Sequence, residues 1–281
     1  MLHKLLAIGI VGSIFAASAP ADTISIVADQ DNTLFGPTED DLSSGSGEHI
    51  YAGRIGSFGG TNNIRRAAIH FDVSAIPEGA TINSAEVRIQ VVKRPPGGAT
   101  NVSNTLHRCL ESWGEGASEA GGGSGTSAET NDVTWTYRFF PDQTWSTPGG
   151  DFESPVSGSV SIIGTGSYTF TGAGLAADVQ DWVDGAANNG WILIADTSVP
   201  KTVSKIASRE NPTSAFQPTL VVDYEMGGIL GDLTGDGFVN GADLGLLLVD
   251  WGPCSGCPGD LNDDGFVNGA DLGLLLVAWT G

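Results

Sequence analysis

The chain has little of several things. Only 12 of its 281 residues are Lys or Arg, against 33 Asp and Glu, for a formal charge of −21. A surface this short of cations argues against a nucleic-acid binder, which needs a basic footprint. Three cysteines cannot build a disulfide scaffold. Beyond the N-terminal segment no apolar run is long enough to span a bilayer. What is plentiful is glycine, 41 residues, together with Ser, Thr and seven Trp. Those residues favour turn-rich β structure, and a hydrophobic content of 40% is enough for a packed core.

Residues 1–21 carry Lys4, an apolar stretch from Leu5 to Ala16, and small residues through Ala17, Ala19 and Ala21. This is the pattern of a cleaved export signal, which places the mature protein outside the cell or on its surface, with no remaining membrane span.

Residues 22–224 show period-2 alternation. Ala85, Val87, Ile89 and Val91 share one face against Glu86, Arg88 and Gln90. Ala67, Ile69 and Phe71 repeat the pattern, as do Leu220, Val222 and Tyr224. Recurring over about 200 residues, such runs predict an antiparallel β-sandwich. One stretch, Leu175–Val183, has helical spacing through Leu175, Val179, Trp182 and Val183.

A Gly/Ser-rich loop, Gly114–Thr130, precedes Trp135, Tyr137 and Trp145. With Trp113 before the loop, these rings could form a sugar-stacking platform, because aromatic faces pair with the apolar faces of pyranoses. They could equally be core, where large rings are mostly buried. Arg54, Arg65, Arg66, Arg88, Lys93 and Arg94 are the cations available to an acidic ligand. Without local clustering of that charge, the segment's acidity would repel a polyanion. A neutral glycan, or an anionic one bridged by Ca²⁺, therefore stays open. No HExxH or GxSxG motif is present. Glu111 and Glu115, flanking Trp113, are the carboxylate pair to consider for a polysaccharide hydrolase or lyase, against their reading as loop or cap carboxylates. Cys109 reads as a buried free thiol.

Ile64–Asp72, Ile76–Ile82, Trp113-Gly114-Glu115-Gly116, Pro148-Gly149-Gly150-Asp151-Phe152 and Ser208–Pro212 together resemble DNRLRE-domain proteins, a group overlapping carbohydrate-binding module family 96. That resemblance, over roughly residues 24–224, implies a jelly-roll-like sandwich and a polysaccharide-binding role beside secreted polysaccharide-processing enzymes. The alternatives are a degrading enzyme of the disaggregatase or glycosidase kind and a structural surface or matrix protein without a glycan ligand.

From residue 226 onward there are eight Asp and no Lys or Arg. Gly231–Gly252 and Gly259–Thr280 align at a 28-residue offset with 18 of 22 positions identical, which marks a tandem module. Each copy carries the spacing of an EF-hand-type calcium loop closed by Asp. In the first, Asp232, Thr234, Asp236, Phe238 (through its carbonyl), Asn240 and Asp243 are the expected ligands. In the second they are Asp260, Asn262, Asp264, Phe266, Asn268 and Asp271. Gly237 and Gly265 allow the sharp turn each loop needs. Thr234 is a weaker neutral ligand than a carboxylate, so the second loop is expected to bind Ca²⁺ more tightly. Leu244, Leu247, Leu248 and Trp251 fall on one helical face, as do Leu272, Leu275, Leu276 and Trp279, so two short helices are expected to pack through them.

Two loop-then-helix units resemble a type I dockerin, which implies an all-α module at 230–281, two Ca²⁺ ions and a cohesin-like scaffold partner. Positions 10 and 11 of the loops, Gly241-Ala242 and Gly269-Ala270, depart from the Ser/Thr pair common there, and intrachain or cell-envelope attachment is the alternative. Residues 225–229 are the expected linker. Cys254 and Cys257, between the copies, are expected to form a local disulfide in an exported chain. No other Cys or His accompanies them, which argues against zinc.

Overall fold

A computed structural model describes residues 21–37, 41–56, 64–226, 228–254 and 256–280. The expected export signal lies outside the described residues except for Ala21. The chain divides into two compact units, Ala21–Glu225 and a C-terminal one that includes Met226–Gly281.

The first unit is built from short strands because its apolar residues alternate and its turns are rich in glycine. In chain order they are β1 (Asp22–Val27), β2 (Gln30–Gly36), β3 (Leu42–Ser43), β4 (His49–Arg54) and β5 (Ile64–His70). The long β6 (Ala80–Lys93) and β7 (Val102–Arg108) follow, then three short pieces, β8 (Thr126–Ser127), β9 (Tyr137–Phe139) and β10 (Gln143–Thr144). The series ends with β11 (Gly158–Ile162), β12 (Gly166–Phe170), β13 (Trp191–Ala195), β14 (Ser204–Ala207) and β15 (Thr219–Met226).

Eleven of these strands form one antiparallel sheet in the order β1-β15-β6-β14-β4-β5-β13-β7-β11, with β12 added on β6 and β2 on β5. The protein is thus mainly β and antiparallel. Strand β4 joins the two halves, pairing β14 on one side and β5 on the other, and the sheet curls there. Within β6 the alternation reads as expected: Ala85, Val87, Ile89 and Val91 are buried. Strand β5 breaks the simple pattern. Ala67, Ala68 and Ile69 are all fully buried, because both faces of this central strand are covered.

Helix α1 (Ala173–Val183) buries Leu175, Val179 and Trp182, which confirms the helical spacing. Gly158 leaves the room that Leu175 occupies; a Cβ there would lie 2.7 Å from Leu175 Cδ1. Gln180 ties the helix to β6, its Oε1 accepting from Ile82 N at 2.8 Å and its Nε2 donating to the Ala80 carbonyl at 3.1 Å. Asp178, buried on the same helix, accepts the Trp191 indole N–H at 2.7 Å.

The tryptophans that flank the long loop form a second core. Trp113, Trp135 and Trp145 pack with Leu34, Ala68, Cys109, Val133 and Ile192. They are at most 6% exposed. The segment from Cys109 to Phe152 lies across the outer face of the β2–β5–β13 half, supplying the apolar cover that face needs. Trp113 Nε1 donates to the Asn189 carbonyl at 3.0 Å and Trp145 Nε1 to the Thr134 carbonyl at 3.1 Å, so both polar handles are used internally. Trp135 fits because two glycines make way: a Cβ at Gly36 would lie 1.9 Å from its ring and one at Gly149 2.8 Å. Gly149 also sits at φ +93°, where other residues are strained.

The C-terminal unit holds α2 (Gly241–Val249), β16 (Gly252–Pro253), β17 (Phe266–Val267) and α3 (Gly269–Val277). The short β16–β17 pair means that the unit is not wholly helical. It joins the segment that leaves α2 to the exit of the second loop, Gly252 facing Val267 and Pro253 facing Phe266. Its core is Val239, Leu247, Val267 and Leu275, lined by Leu244 and Leu272. Only part of the expected helical faces is therefore internal. Leu248, Trp251, Leu276 and Trp279 are exposed, because Val239 and Val267 from the two acidic loops take the inner positions. Cys254 and Cys257 are joined in a disulfide. Strand β15 runs through Met226, so Glu225 and Met226 of the expected linker 225–229 lie in a strand.

Candidate functional site

The first of the duplicated loops places its acidic residues around a common point. Oxygens of Asp232, Asp236 and Asp243 lie within 4.8 Å of one another, whereas the corresponding Asp260, Asp264 and Asp271 do not come so close. Each loop is shaped by its own carboxylates. Asp232 accepts from Gly235 N at 2.7 Å and Gly237 N at 2.9 Å, and Asp260 accepts from Gly265 N at 2.9 Å. Asp236 and Asp264 each accept from the N–H two residues on, that of Phe238 and of Phe266. Gly237 and Gly265, at φ +83° and +86°, make the turn that β-substituted residues resist.

Asp243 and Asp271 close the loops and begin the helices. Asn240 and Asn268 are N-caps, and each forms a reciprocal capping box with the Asp three residues on. Asp243 is fully buried, and its oxygens accept from Leu233 N, Thr234 N and Asn240 N at 2.8–2.9 Å. Burial alone would raise its carboxyl, but these hydrogen bonds outweigh that and hold it below the usual carboxylate range. The Thr234 hydroxyl donates to Asp243 at 2.9 Å, whereas the Asn262 side chain donates to Asp264 at 3.1 Å. A set of hard oxygens on a 12-residue loop suits Ca²⁺ rather than a soft metal. The residues present fit that ion.

The curled sheet carries a second candidate site that the sequence does not disclose. Tyr51 on β4 pairs with Lys205 on β14, and Lys205 pairs with Lys93 on β6, so the three form a row across adjacent strands. The row floors a cleft of about 360 Å³ walled by Arg94, Pro95, Val203 and Gly121–Gly123. Gly123 lies so close to the Tyr51 ring that a Cβ would be 2.9 Å from it. Among the described residues, Lys93, Arg94 and Lys205 have no carboxylate within ion-pair distance. Arg94 is steadied by carbonyls, donating to Ala99 O at 2.6 Å. Of the six cations considered from the sequence, only Lys93 and Arg94 line the cleft. Arg66 is spent in the core, over the Trp135 and Phe152 rings and hydrogen-bonded to the Gly149 carbonyl. Arg88 pairs with Glu86, and Arg65 is buried over Phe35.

The proposed stacking platform does not exist as such. Trp113, Trp135 and Trp145 are buried, so no sugar can reach their faces. Tyr137 alone is partly exposed, edge-on to Phe140 with centroids 5.2 Å apart. Glu111 and Glu115 also part company. Glu111 is near Arg138 at 3.8 Å, whereas Glu115 is a bidentate partner of Arg209 at 2.5 Å. Cys109 is a free, buried thiol, pushed by that burial up to about 12.

Comparison of the chain with models of known families and with curated proteins finds no match in either.

Proposed function

We propose that this chain is a secreted, non-catalytic polysaccharide-binding protein that attaches to a processing assembly or cell surface through a Ca²⁺-dependent C-terminal unit. The reading takes the first unit as a jelly-roll-like sandwich of the DNRLRE, carbohydrate-binding-module kind and the second as dockerin-like.

The observation that carries it is the row Tyr51–Lys205–Lys93. Two lysines opposite each other on neighbouring strands repel, and no carboxylate among the described residues relieves them. An acidic polysaccharide would supply the missing counter-charge, while the tyrosine and the glycine loop offer an apolar wall and backbone groups for the sugar ring. Local clustering of cations also removes the objection that the unit's overall acidity raises against a polyanion.

Attachment rests on the exposed apolar stripe of the duplicated helices. Leu248, Val249 and Trp251 in the first copy match Leu276, Val277 and Trp279 in the second, all between 39% and 87% exposed. Repeated apolar surface of this kind is a docking face for a protein partner. A cohesin-like domain is one candidate and an envelope protein the other.

A glycan array probed in Ca²⁺ tests the first half. Binding confined to uronic or sulfated glycans, lost in K93E/K205E, is the expected result. Equal binding by that variant, or turnover of any glycan, would overturn the reading. Pull-down from cohesin-bearing and envelope extracts, with and without EGTA, tests the second half.

A further inference from the structure

Away from the cleft and the calcium loops, three carboxylates converge inside the curled sheet. Asp31 on β2, Glu115 on the long loop and Glu210 just after β14 bring oxygens within 4.8 Å of one another. The only cation among them is Arg209. Its Nε and Nη2 hold both oxygens of Glu115 at 2.5 Å, and its Nε stands 2.8 Å from Glu210 Oε1. The group therefore carries three negative charges against one positive.

The acids are not left over on a wet surface. Asp31 is fully buried. Its Oδ2 accepts from Arg209 N at 2.7 Å, but its Oδ1 is buried without any hydrogen-bond partner. Both Glu210 oxygens are likewise buried with no hydrogen bond in good geometry. An unpaired buried carboxylate oxygen is costly, and three such groups cannot all stay ionised around one guanidinium. Burial first, then the facing carboxylates, push Asp31 well above its usual range, and Glu210 is raised for the same reasons.

We infer that Asp31, Glu115 and Glu210 form a third cation site, one that takes a divalent ion of the Ca²⁺ class within the first unit. Two positive charges would bring the group to neutrality with Arg209 in place. The donors are all hard oxygens, without a thiolate or imidazole, which selects Ca²⁺ over zinc or copper. The free Oδ1 of Asp31 and Oε2 of Glu210 are the unused donors, Glu210 Oε1 already facing Arg209 Nε, and Glu115 is held ready by Arg209 and by Asp31 N at 2.8 Å. The ion would tie together β2, the loop from Cys109 to Gly125, and the turn at Ser208–Asn211. That loop also supplies Gly121–Gly123 to the cleft, so the site would fix one wall of it.

The test counts bound Ca²⁺ per chain by equilibrium dialysis on three full-length proteins. The wild type is expected to hold three ions. A D232N/D243N/D260N/D271N chain, with both C-terminal loops disabled, is expected to keep one. Adding Glu210→Gln to that chain should remove it. If the four-fold variant binds no Ca²⁺, or if Glu210→Gln leaves the count unchanged, the site is a protonated acid cluster and the inference falls. A second readout covers a misfolded variant: Ca²⁺ should raise the Tm of the four-fold variant by a few degrees, and an unchanged Tm overturns the site. The C-terminal loops can fail as metal sites without touching either result.

Discussion

Lys205 on β14 stands directly opposite Lys93 on β6, and on its other side it pairs with Tyr51 of β4. Like charges facing each other across a ladder destabilise the pair that carries them. Stability and binding should therefore move in opposite directions when one is removed. Lys205→Gln is expected to leave the Tm equal or slightly higher while weakening an acidic polysaccharide about tenfold, the loss of one charge-assisted contact of ~1.5 kcal/mol. Lys93→Gln should do the same. Calorimetric titration beside a melting curve makes the comparison, and a variant that loses both together would mean the lysines serve the fold.

His49 lies two residues before Tyr51 on the same strand and so shares its face. Burial, then the charge of Lys205, lower its pKa below the ordinary 6.5. A folded state that holds this proton less firmly than the unfolded chain is stabilised above 6.5 and loses that contribution as pH falls through the depressed value. A bound polyanion reverses the local field and should raise the His49 pKa. Binding should accordingly strengthen as pH drops from neutrality through this window. An imidazole titration by NMR, assigned with His49→Gln, gives the value with and without ligand. If it does not rise on binding, the ligand is not in this cleft.

If the acidic loops hold Ca²⁺ as proposed, the predicted loss is specific to one copy. Asp243 both closes the first loop and completes its capping box, so Asp243→Asn removes a proposed metal ligand and one cap partner. One bound Ca²⁺ per chain should disappear, with a further cost of about 1 kcal/mol from the weakened cap. The second loop should continue to bind, since Asp271 belongs to its own box. Calorimetry resolves the two. Equal loss at both loops would show that they bind only as a pair. Chelation of the wild type should also change the fluorescence of Trp251 and Trp279, which stand at the ends of the two helices.

How much of this could be read in advance depended on whether a residue's neighbours were close in sequence. The repeated acidic loops were legible as loops because every candidate donor falls within twelve residues and the loop repeats. Alternation in β6 was legible because one face is buried. The role of Trp113, Trp135 and Trp145 was not: an aromatic cluster around a glycine-rich loop has the same composition whether it caps a core or faces a sugar. The glycines at 36 and 149, which yield to the Trp135 ring, were the available hint of burial. Lys93 and Lys205 meet only through the pairing of β6 with β14, and Asp31, Glu115 and Glu210 only through the curl of the sheet. No local pattern contains either encounter.

Cys109 offers a test of the second core that involves no ligand. Its thiol is 2% exposed, packed with Trp113, Trp135 and Trp145, and burial pushes it up to about 12. Thiolate is the reactive form, so at neutral pH the folded protein should present almost none to a disulfide reagent. Cys254 and Cys257 are already paired and add no signal without a reductant. The expected result is no reaction with the native chain and one equivalent once denaturant is added. The rate should rise with denaturant in step with loss of tryptophan order, because the thiol and the indoles share one cluster. Fast modification of the native protein would mean that the segment from Cys109 to Phe152 opens readily, and the three tryptophans would then be accessible to a sugar after all.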